Sequence, residues 1–230
     1  MFWSSQAVCK GSGGTLIGKP FTATSVSIDT RSLTAGALYV AINGEQFDGH
    51  GYLQQAQEAG AVAALVQKVP ENVPVGLTLV QVKGDTLEAL QQMARYRRAQ
   101  YQGRLIGITG SVGKTSAKEM LKLCLDAYGE TYATRGNYNN HIGLPLTLCN
   151  MPNSTEFAIL EMGMNHAHEI DFLTRIGQPE VALVTNVAAV HLEFFDSVEG
   201  IARAKAEIFN GLNAQGAAVL PRDNEYYPLL

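Results

Sequence analysis

Gly107-Ile108-Thr109-Gly110-Ser111-Val112-Gly113-Lys114-Thr115 is the stretch that decides the fold. An apolar run, Leu105 to Ile108, leads into it. Apolar residues at helical spacing lead out: Ala117, Met120, Leu121, Cys124, Leu125 and Tyr128 fall on one predicted helix face. A strand, a glycine loop and a helix in that order make a phosphate cradle. The glycines let backbone N–H groups converge on anionic oxygens, and the helix start adds partial positive charge. The expected contacts are Thr109, Gly110, Ser111, Val112, Gly113, Lys114, Thr115 and Ser116, with Lys114 on the β- and γ-phosphates and the Thr115 hydroxyl on Mg2+. The common pattern G-x-x-x-x-G-K-[ST] would have glycine at position 108, and this chain has Ile108 there. The form here is G-x-T-G-x-x-G-K-T, read as a nucleoside triphosphate site.

Working outward, 230 residues leave room for about two domains. With 46% hydrophobic and 17% charged residues, the composition is that of a globular chain with a core. A net charge of −4 and no Lys/Arg-rich run leave no footprint for a nucleic-acid partner. Cys9, Cys124 and Cys149 lack metal-ligand spacing and cannot all pair within one chain, which suits a reducing compartment. Cys124 is expected to pack as a small hydrophobe on the buried face of its helix. The start has no basic-then-apolar leader, and no apolar run approaches bilayer length. A cytoplasmic protein without a membrane span is expected.

Residues 1–103 read as a small α/β domain with a parallel or mixed sheet. Gly11 to Gly14 is a turn; Ala37–Ile42, Ala61–Val66 and Leu77–Val82 are strands. A short helix covers 51–59, and a second runs from an Asp85 cap to Gln100 with Leu87, Leu90 and Ala94 inward. Two loops stand out, Asp29-Thr30-Arg31-Ser32 and the polar segment Asn43-Gly44-Glu45-Gln46-Phe47-Asp48-Gly49-His50. On composition alone each is more simply a capped turn than a site. Arg31 is the member best shaped to hold a phosphate, because its fork matches two oxygens.

Residues 104–230 read as a P-loop NTPase-like, doubly wound, mostly parallel sheet. Its strands lie at Leu105–Ile108, Glu130–Thr134, Phe157–Leu160, Val181–Val184 and Ala217–Leu220. Ligands in such folds sit beyond the carboxyl ends of the strands, which draws in Glu161 and Asn186. Beside a triphosphate, Glu161 is the candidate second metal contact. His191 alone is a weak signal, and His166-Ala167-His168 has unspecific spacing. The predicted helix from Ser197 to Leu212 opens with Asp196 and Glu199 in capping-box positions. Its stripe is Val198, Ile201, Ile208, Phe209 and Leu212, with Glu199, Arg203 and Glu207 opposite. Lys205 falls inside that stripe, where an ammonium is costly unless paired, neutral, snorkelling or chemically changed.

Taken together, six strings in order resemble the Mur ligase family of ATP-dependent amide-forming enzymes. They are Asp29 to Arg31, Asn43 to His50, the phosphate loop, Gly136-Asn137-Tyr138-Asn139-Asn140-His141-Ile142-Gly143, Glu161-Met162-Gly163-Met164-Asn165-His166, and Asn186 through His191 to Lys205-Ala206-Glu207-Ile208-Phe209. The resemblance implies a first domain, 1–103, that holds the uridine diphosphate of a substrate through Thr30, Arg31, Asn43, Gln46 and Phe47, and an ATP-binding domain, 104–230. It implies muramoyl-peptide contacts from Asn137, Asn139 and Asn140, Mg2+ on Thr115 and Glu161, and a second Mg2+ near Glu161 and His191. It also implies that Lys205 carries a carbamate, so Lys114, His191 and Lys205 are the catalytic candidates and Lys205 joins the metal set. The implied reaction joins D-alanyl-D-alanine to UDP-N-acetylmuramoyl-tripeptide through an acyl phosphate, for peptidoglycan and cell wall synthesis, by a monomer.

Val112, His141 and His168 depart from residues usual in the family, His168 taking a position commonly held by glycine. The family continues through the rest of the ATPase domain and a third domain, so residues 1–230 alone are expected not to turn over. The rival readings are another amino-acid-adding ligase of the family, a folylpolyglutamate synthetase-like ligase, and a non-catalytic ATP-binding module. Residues 28–82 argue against the synthetase, and the Asn137 to Gly143 string favours the dipeptide-adding type.

Overall fold

The computed structural model describes residues 3–44, 47–190 and 192–230. The chain forms two compact units, Met1–Ala99 with Leu148–Asn150, and Gln100–Thr147 with Met151–Leu230. In chain order the first unit holds β1 (Trp3–Ser4), α1 (Ser5–Ser12), β2 (Thr15–Ile17), β3 (Thr22–Ala23), β4 (Ser25–Ser27), β5 (Ala37–Val40), α2 (Leu53–Glu58), β6 (Ala63–Val66), β7 (Thr78–Gln81) and α3 (Thr86–Gln100).

Its main sheet has the order β2-β7-β6-β5-β4. The sheet is mixed: β2 runs antiparallel to β7 and the other pairs are parallel. β5 and β6 are buried at every position, which is why both are apolar throughout instead of alternating. Asp85 accepts from the Leu87 N–H at 3.1 Å as the expected cap. The inward face of α3 is Thr86, Ala89, Leu90, Met93, Ala94 and Arg97, with Leu87 at its margin. The sequence did not reveal α1 or β1 to β4, strands of two or three residues each, with half of those residues polar. Gly11 and Ser12 end α1, and the turn begins only at Gly13, left-handed at φ +68°.

The second unit holds β8 (Arg104–Thr109), α4 (Lys114–Leu125), β9 (Thr131–Ala133), most of α5 (Gly143–Asn150, its last three residues counted with the first unit), β10 (Phe157–Glu161), α6 (Glu169–Gly177), β11 (Val181–Val184), α7 (Val198–Ala206) and β12 (Ala217–Val219). All five strands are parallel, in the order β12-β11-β8-β10-β9. The register sets Glu161 against Ile108 and Val184 against Thr109, so three central strands end at one rim. Ile106, Ile108 and Ile159 cluster with Ala117, Leu121 and Leu125 of α4. Gly107 looks the other way: a Cβ there would press on Met162, Pro179 and Ile208 at 3.3–3.4 Å. Helices therefore cover both faces, the doubly wound arrangement.

Two helices differ from expectation. The row that α4 lays on the sheet is Ala117, Leu121 and Leu125, flanked by buried Lys118. Met120, Cys124 and Tyr128 are exposed, so Cys124 is not packed inside. α7 is capped by Ser197, whose hydroxyl accepts from the Gly200 N–H at 3.1 Å, and not by an Asp196/Glu199 box. It ends at Ala206, and Glu207–Gly211 tightens into a 3-10 turn. That turn brings the Glu207 carboxylate onto the N–H groups of His168 (2.8 Å) and Asp171 (3.1 Å) at the start of α6. Glu207 is thus half-buried, while Glu199 and Arg203 pair on the solvent face at 2.7 Å. Among the described residues no helix is long and apolar enough to cross a membrane.

Replacing Ser197 by alanine is expected to cost about 1 kcal/mol of stability, a typical N-cap loss, and replacing Asp196 close to nothing. Urea midpoints of the two variants check this; the reverse order would restore the cap to Asp196.

Candidate functional site

The rim of the second sheet is closed by the glycine loop. Gly110 (φ +150°) and Gly113 (φ +80°) adopt backbone conformations that other residues rarely take. Gly110 also has no room for a side chain, since a Cβ would collide with the Thr185 hydroxyl. That hydroxyl donates to the Val112 carbonyl at 2.6 Å. Asn186 accepts from the Val112 N–H through Oδ1 and from the Ser111 N–H through its carbonyl, both at 3.0 Å. Ser111 exchanges bonds with Ala188, donating at 3.1 Å and accepting at 2.9 Å. The loop is therefore lashed to the segment after β11, and its shape does not wait for a ligand. α4 then starts at Lys114, with first-turn N–H groups that have no helical partner.

Lys114 Nζ donates to the Gly110 carbonyl at 2.7 Å. Burial pulls its pKa below the ordinary lysine value, and the charge of Glu161 works against that pull. Glu161 ends β10 and is only 3% exposed. Both its oxygens are held, Oε2 by the Thr115 hydroxyl at 3.1 Å and Oε1 by Asn139 Nδ2 at 3.0 Å. The Gly163 N–H in turn donates to the Asn139 carbonyl at 2.9 Å. These groups edge a cleft of about 470 Å³ lined by Gly113, Lys114, Thr115, Ser116, Gly136, Asn137, Asn139 and Glu161. The cleft joins candidates from the phosphate loop, the asparagine string and the β10 end. Asn140 is not among its lining; its Oδ1 accepts from the N–H groups of Ile142 (3.2 Å) and Gly143 (2.9 Å) at the start of α5.

The donor set fits Mg2+. Hydroxyl and carboxylate oxygens are hard ligands, and Mg2+ takes one or two protein oxygens while keeping waters and phosphates. Among the described residues there is no group of three His, Cys, Asp or Glu that could hold a metal ion. The Thr109 hydroxyl, at the end of β8, is buried without a hydrogen-bond partner.

Lys205 on α7 is 2% exposed, as its place in the apolar stripe implies. Burial, and then the charge of Lys114, push its pKa from 10.5 down to about 7. Glu161 thus acts on Lys114, and Lys114 in turn acts on Lys205. His191 and Gln46 lie outside the described residues. His166 and His168 face separate carboxylates, Glu169 at 3.4 Å and Glu207 at 3.6 Å, and make no metal pair with each other. His168 is left-handed at φ +71°, the conformation for which glycine is the easy choice.

One residue at this rim escaped the sequence reading. Lys118 is 1% exposed, and its Nζ lies 3.9 Å from Glu161 Oε2. The available signal was spacing: one turn beyond Lys114 and Thr115, it shares their helix face.

In the first unit the Asp29 to Arg31 loop and the described residues of the second loop, 43–44 and 47–50, follow β4 and β5, which are parallel neighbours, so both sit at one rim. Arg31 lies 87% exposed, with Nη2 at 2.7 Å and Nε at 2.9 Å from the Asp29 carboxylate, whose pKa it lowers. Thr30 beside it is half-buried. Asn43 bridges Asp48, and Phe47 is exposed. Between the loops lies Tyr39, its pKa pushed up to about 12 by burial first and then by the charges of Asp29, Tyr52 and Asp48. His50 anchors the second loop, with Nδ1 at 2.6 Å from Asp48 and Nε2 accepting from the Gln67 N–H at 2.9 Å.

Both parts of the chain are similar to known proteins. Residues 108–230 match the Mur ligase middle domain, and residues 22–101 match the Mur ligase family catalytic domain. The chain is 44% identical over 205 residues to the UDP-N-acetylmuramoyl-tripeptide–D-alanyl-D-alanine ligase of Bacillus subtilis, covering 89% of this chain and 44% of that protein. To the Escherichia coli ligase of the same name it is 43% identical over 212 residues, covering 92% and 46%. A crystal structure of MurF from Acinetobacter baumannii superposes with a TM-score of 0.91 at 33% identity, covering 100% of this chain and 50% of that one. MurF ligase from Thermotoga maritima in complex with ADP gives 0.76 at 31% identity, covering 87% and 46%. The chain thus spans about half the length of the curated relatives it matches.

The Lys205 environment carries a pH signature. Between about 7 and 10.5 the folded chain has released a proton that the unfolded chain keeps. The unfolded state binds more protons there, so stability rises with pH, approaching about 1.4 kcal/mol per unit, and is flat below that window. Urea midpoints are expected to climb from pH 7 to 9 and to climb much less in Lys205→Met. An equal climb in the variant would assign the effect elsewhere.

Proposed function

This chain belongs to the Mur ligase family, and from that premise we propose that it carries the ATP and uridine-nucleotide sites of a cytoplasmic, monomeric ligase. That ligase adds D-alanyl-D-alanine to UDP-N-acetylmuramoyl-tripeptide in peptidoglycan precursor synthesis. The observation that carries the reading is the Thr115–Glu161 contact at 3.1 Å, set beside the preformed glycine loop and Lys114.

In this reading the loop N–H groups and Lys114 receive the β- and γ-phosphates of ATP. Thr115 and Glu161 would hold the Mg2+ of ATP, Glu161 and His191 would help hold a second Mg2+, and Asn137 and Asn139 would lie against the muramoyl peptide. Bound Mg2+ supplies charge neutralisation at the transferring phosphoryl group. The tripeptide's terminal carboxylate takes the γ-phosphoryl group, giving an acyl phosphate and ADP. The amine of D-alanyl-D-alanine then attacks the acyl carbon, the amide forms, and inorganic phosphate leaves. The residues of this chain hold the phosphates and the carboxylate in line, so their contribution is positioning and electrostatics.

Lys205 enters as the site of a carbamate. Its amine attacks CO2 only when neutral, and a pKa of about 7 leaves about half of it neutral at pH 7. The cation first gives up one proton, and the neutral amine then forms the N–C bond to CO2 and loses a second, so the buried cation would become an anion within the field of Lys114. Thr30, Arg31, Asn43, Gln46 and Phe47 are assigned to the uridine diphosphate. For Thr30, Arg31, Asn43 and Phe47 the support is the shared rim, and Arg31 would exchange its Asp29 partner for phosphate oxygens.

The test is phosphate release by the complete gene product. Release is expected only when ATP, UDP-N-acetylmuramoyl-tripeptide and D-alanyl-D-alanine are all present, and equal release without either acceptor contradicts the ligase reading. Labelled bicarbonate is expected to give a carbamate signal that Lys205→Arg abolishes; a signal surviving in the variant would move the carbamate off Lys205.

A further inference from the structure

Thr134 closes β9 and is 2% exposed. Four bonds meet on its backbone and side chain, one of them from its hydroxyl to the Ile159 carbonyl at 3.4 Å. Its N–H donates to the Ile159 carbonyl at 3.0 Å, its hydroxyl accepts from the Glu161 N–H at 3.1 Å, and its carbonyl accepts from Lys118 Nζ at 2.8 Å. The segment bearing Asn137 and Asn139 starts immediately after it, and Glu161 hangs from its hydroxyl. Lys118 sits on α4, one turn from Thr115. A single side chain therefore links the helix that presents the metal hydroxyl to the node from which the carboxylate and the carboxamides are hung. Around the amine stand Glu161 Oε2 at 3.9 Å on the inside and Glu119 Oε1 at 3.1 Å on the outside.

We propose that Lys118 is a positioning residue: its bond to the Thr134 carbonyl fixes the spacing between the Thr115 hydroxyl and the Glu161 carboxylate. This rests on the reading that those two groups hold Mg2+. Charge and position act in opposite directions here, which makes the role separable. Removing a cation from beside Glu161 would, by Coulomb's law alone, strengthen binding of a divalent metal. Removing a tie that sets ligand spacing weakens it, and supporting residues of this kind are worth about 10- to 100-fold in metal affinity.

The readout is the ratio of the ADP dissociation constants of this chain measured without and with Mg2+, by calorimetry. Lys118→Met is expected to lower that ratio about tenfold, while Mg2+-free ADP binding stays within about twofold. Lys118→Gln, which keeps a donor for the Thr134 carbonyl without the charge, is expected to recover most of the loss. If the methionine variant does not fold, Thr134→Val cuts the same relay at the hydroxyl and must show the same fall. An unchanged or increased ratio in either folded variant overturns the proposal, and so does loss of folding in both. Glu161→Gln separates the two levels. A wild-type chain with no Mg2+ dependence sinks the metal reading and the tie with it. A dependence lost in Glu161→Gln but kept in Lys118→Met sinks the tie alone.

Discussion

A carboxylate buried at the end of a parallel strand cannot stand alone, because an ionised group out of water is expensive unless its oxygens are bonded. Glu161 meets that demand with a hydroxyl from α4 and a carboxamide from the loop after β9. The requirement organises the rim, since the three segments that answer to it are the ones that line the cleft. Lysines supply the balancing charge, Lys118 within 3.9 Å and Lys114 through its field. The proposed metal would enter an arrangement whose ligand spacing is already set, which lowers the reorganisation needed at the moment of reaction.

The glycine loop follows the same logic of advance preparation. Its backbone is fixed by Thr185, Asn186 and Ala188, residues that follow a strand some seventy positions later in the chain. Lys205 adds the second charged element, an amine brought down toward neutrality by burial and by Lys114. Anion, cradle and near-neutral amine are positioned by strands β8, β10 and β11 and by α7, rigid elements that hold a site better than loops do.

Much of this was legible in the chain itself. The fully buried strands announce themselves as continuous apolar runs, and the carboxyl ends of those runs locate Glu161 and Asn186. Lys205 stands out because a lysine breaks an otherwise apolar stripe. What periodicity could not supply was the flank on which a stripe sits. For α4 the pattern fits Met120, Cys124 and Tyr128 as well as Lys118, and the Thr134 carbonyl and the charge of Glu161 decide for the lysine. Short strands such as β1 to β4 carry too few residues for any period to show. The early end of α7 depends on Glu207 serving the start of α6, a tertiary bond that no local pattern encodes.

The central claim is that Thr115 and Glu161 form one metal-holding pair at the phosphate loop. The most direct measurement is a crystal structure of the chain with ADP and Mn2+, in which the anomalous signal marks the metal. The peak is expected against the Thr115 hydroxyl and the Glu161 carboxylate, with the phosphates over residues 110–115. A metal peak away from both side chains, or phosphates bound elsewhere on the rim, would contradict it.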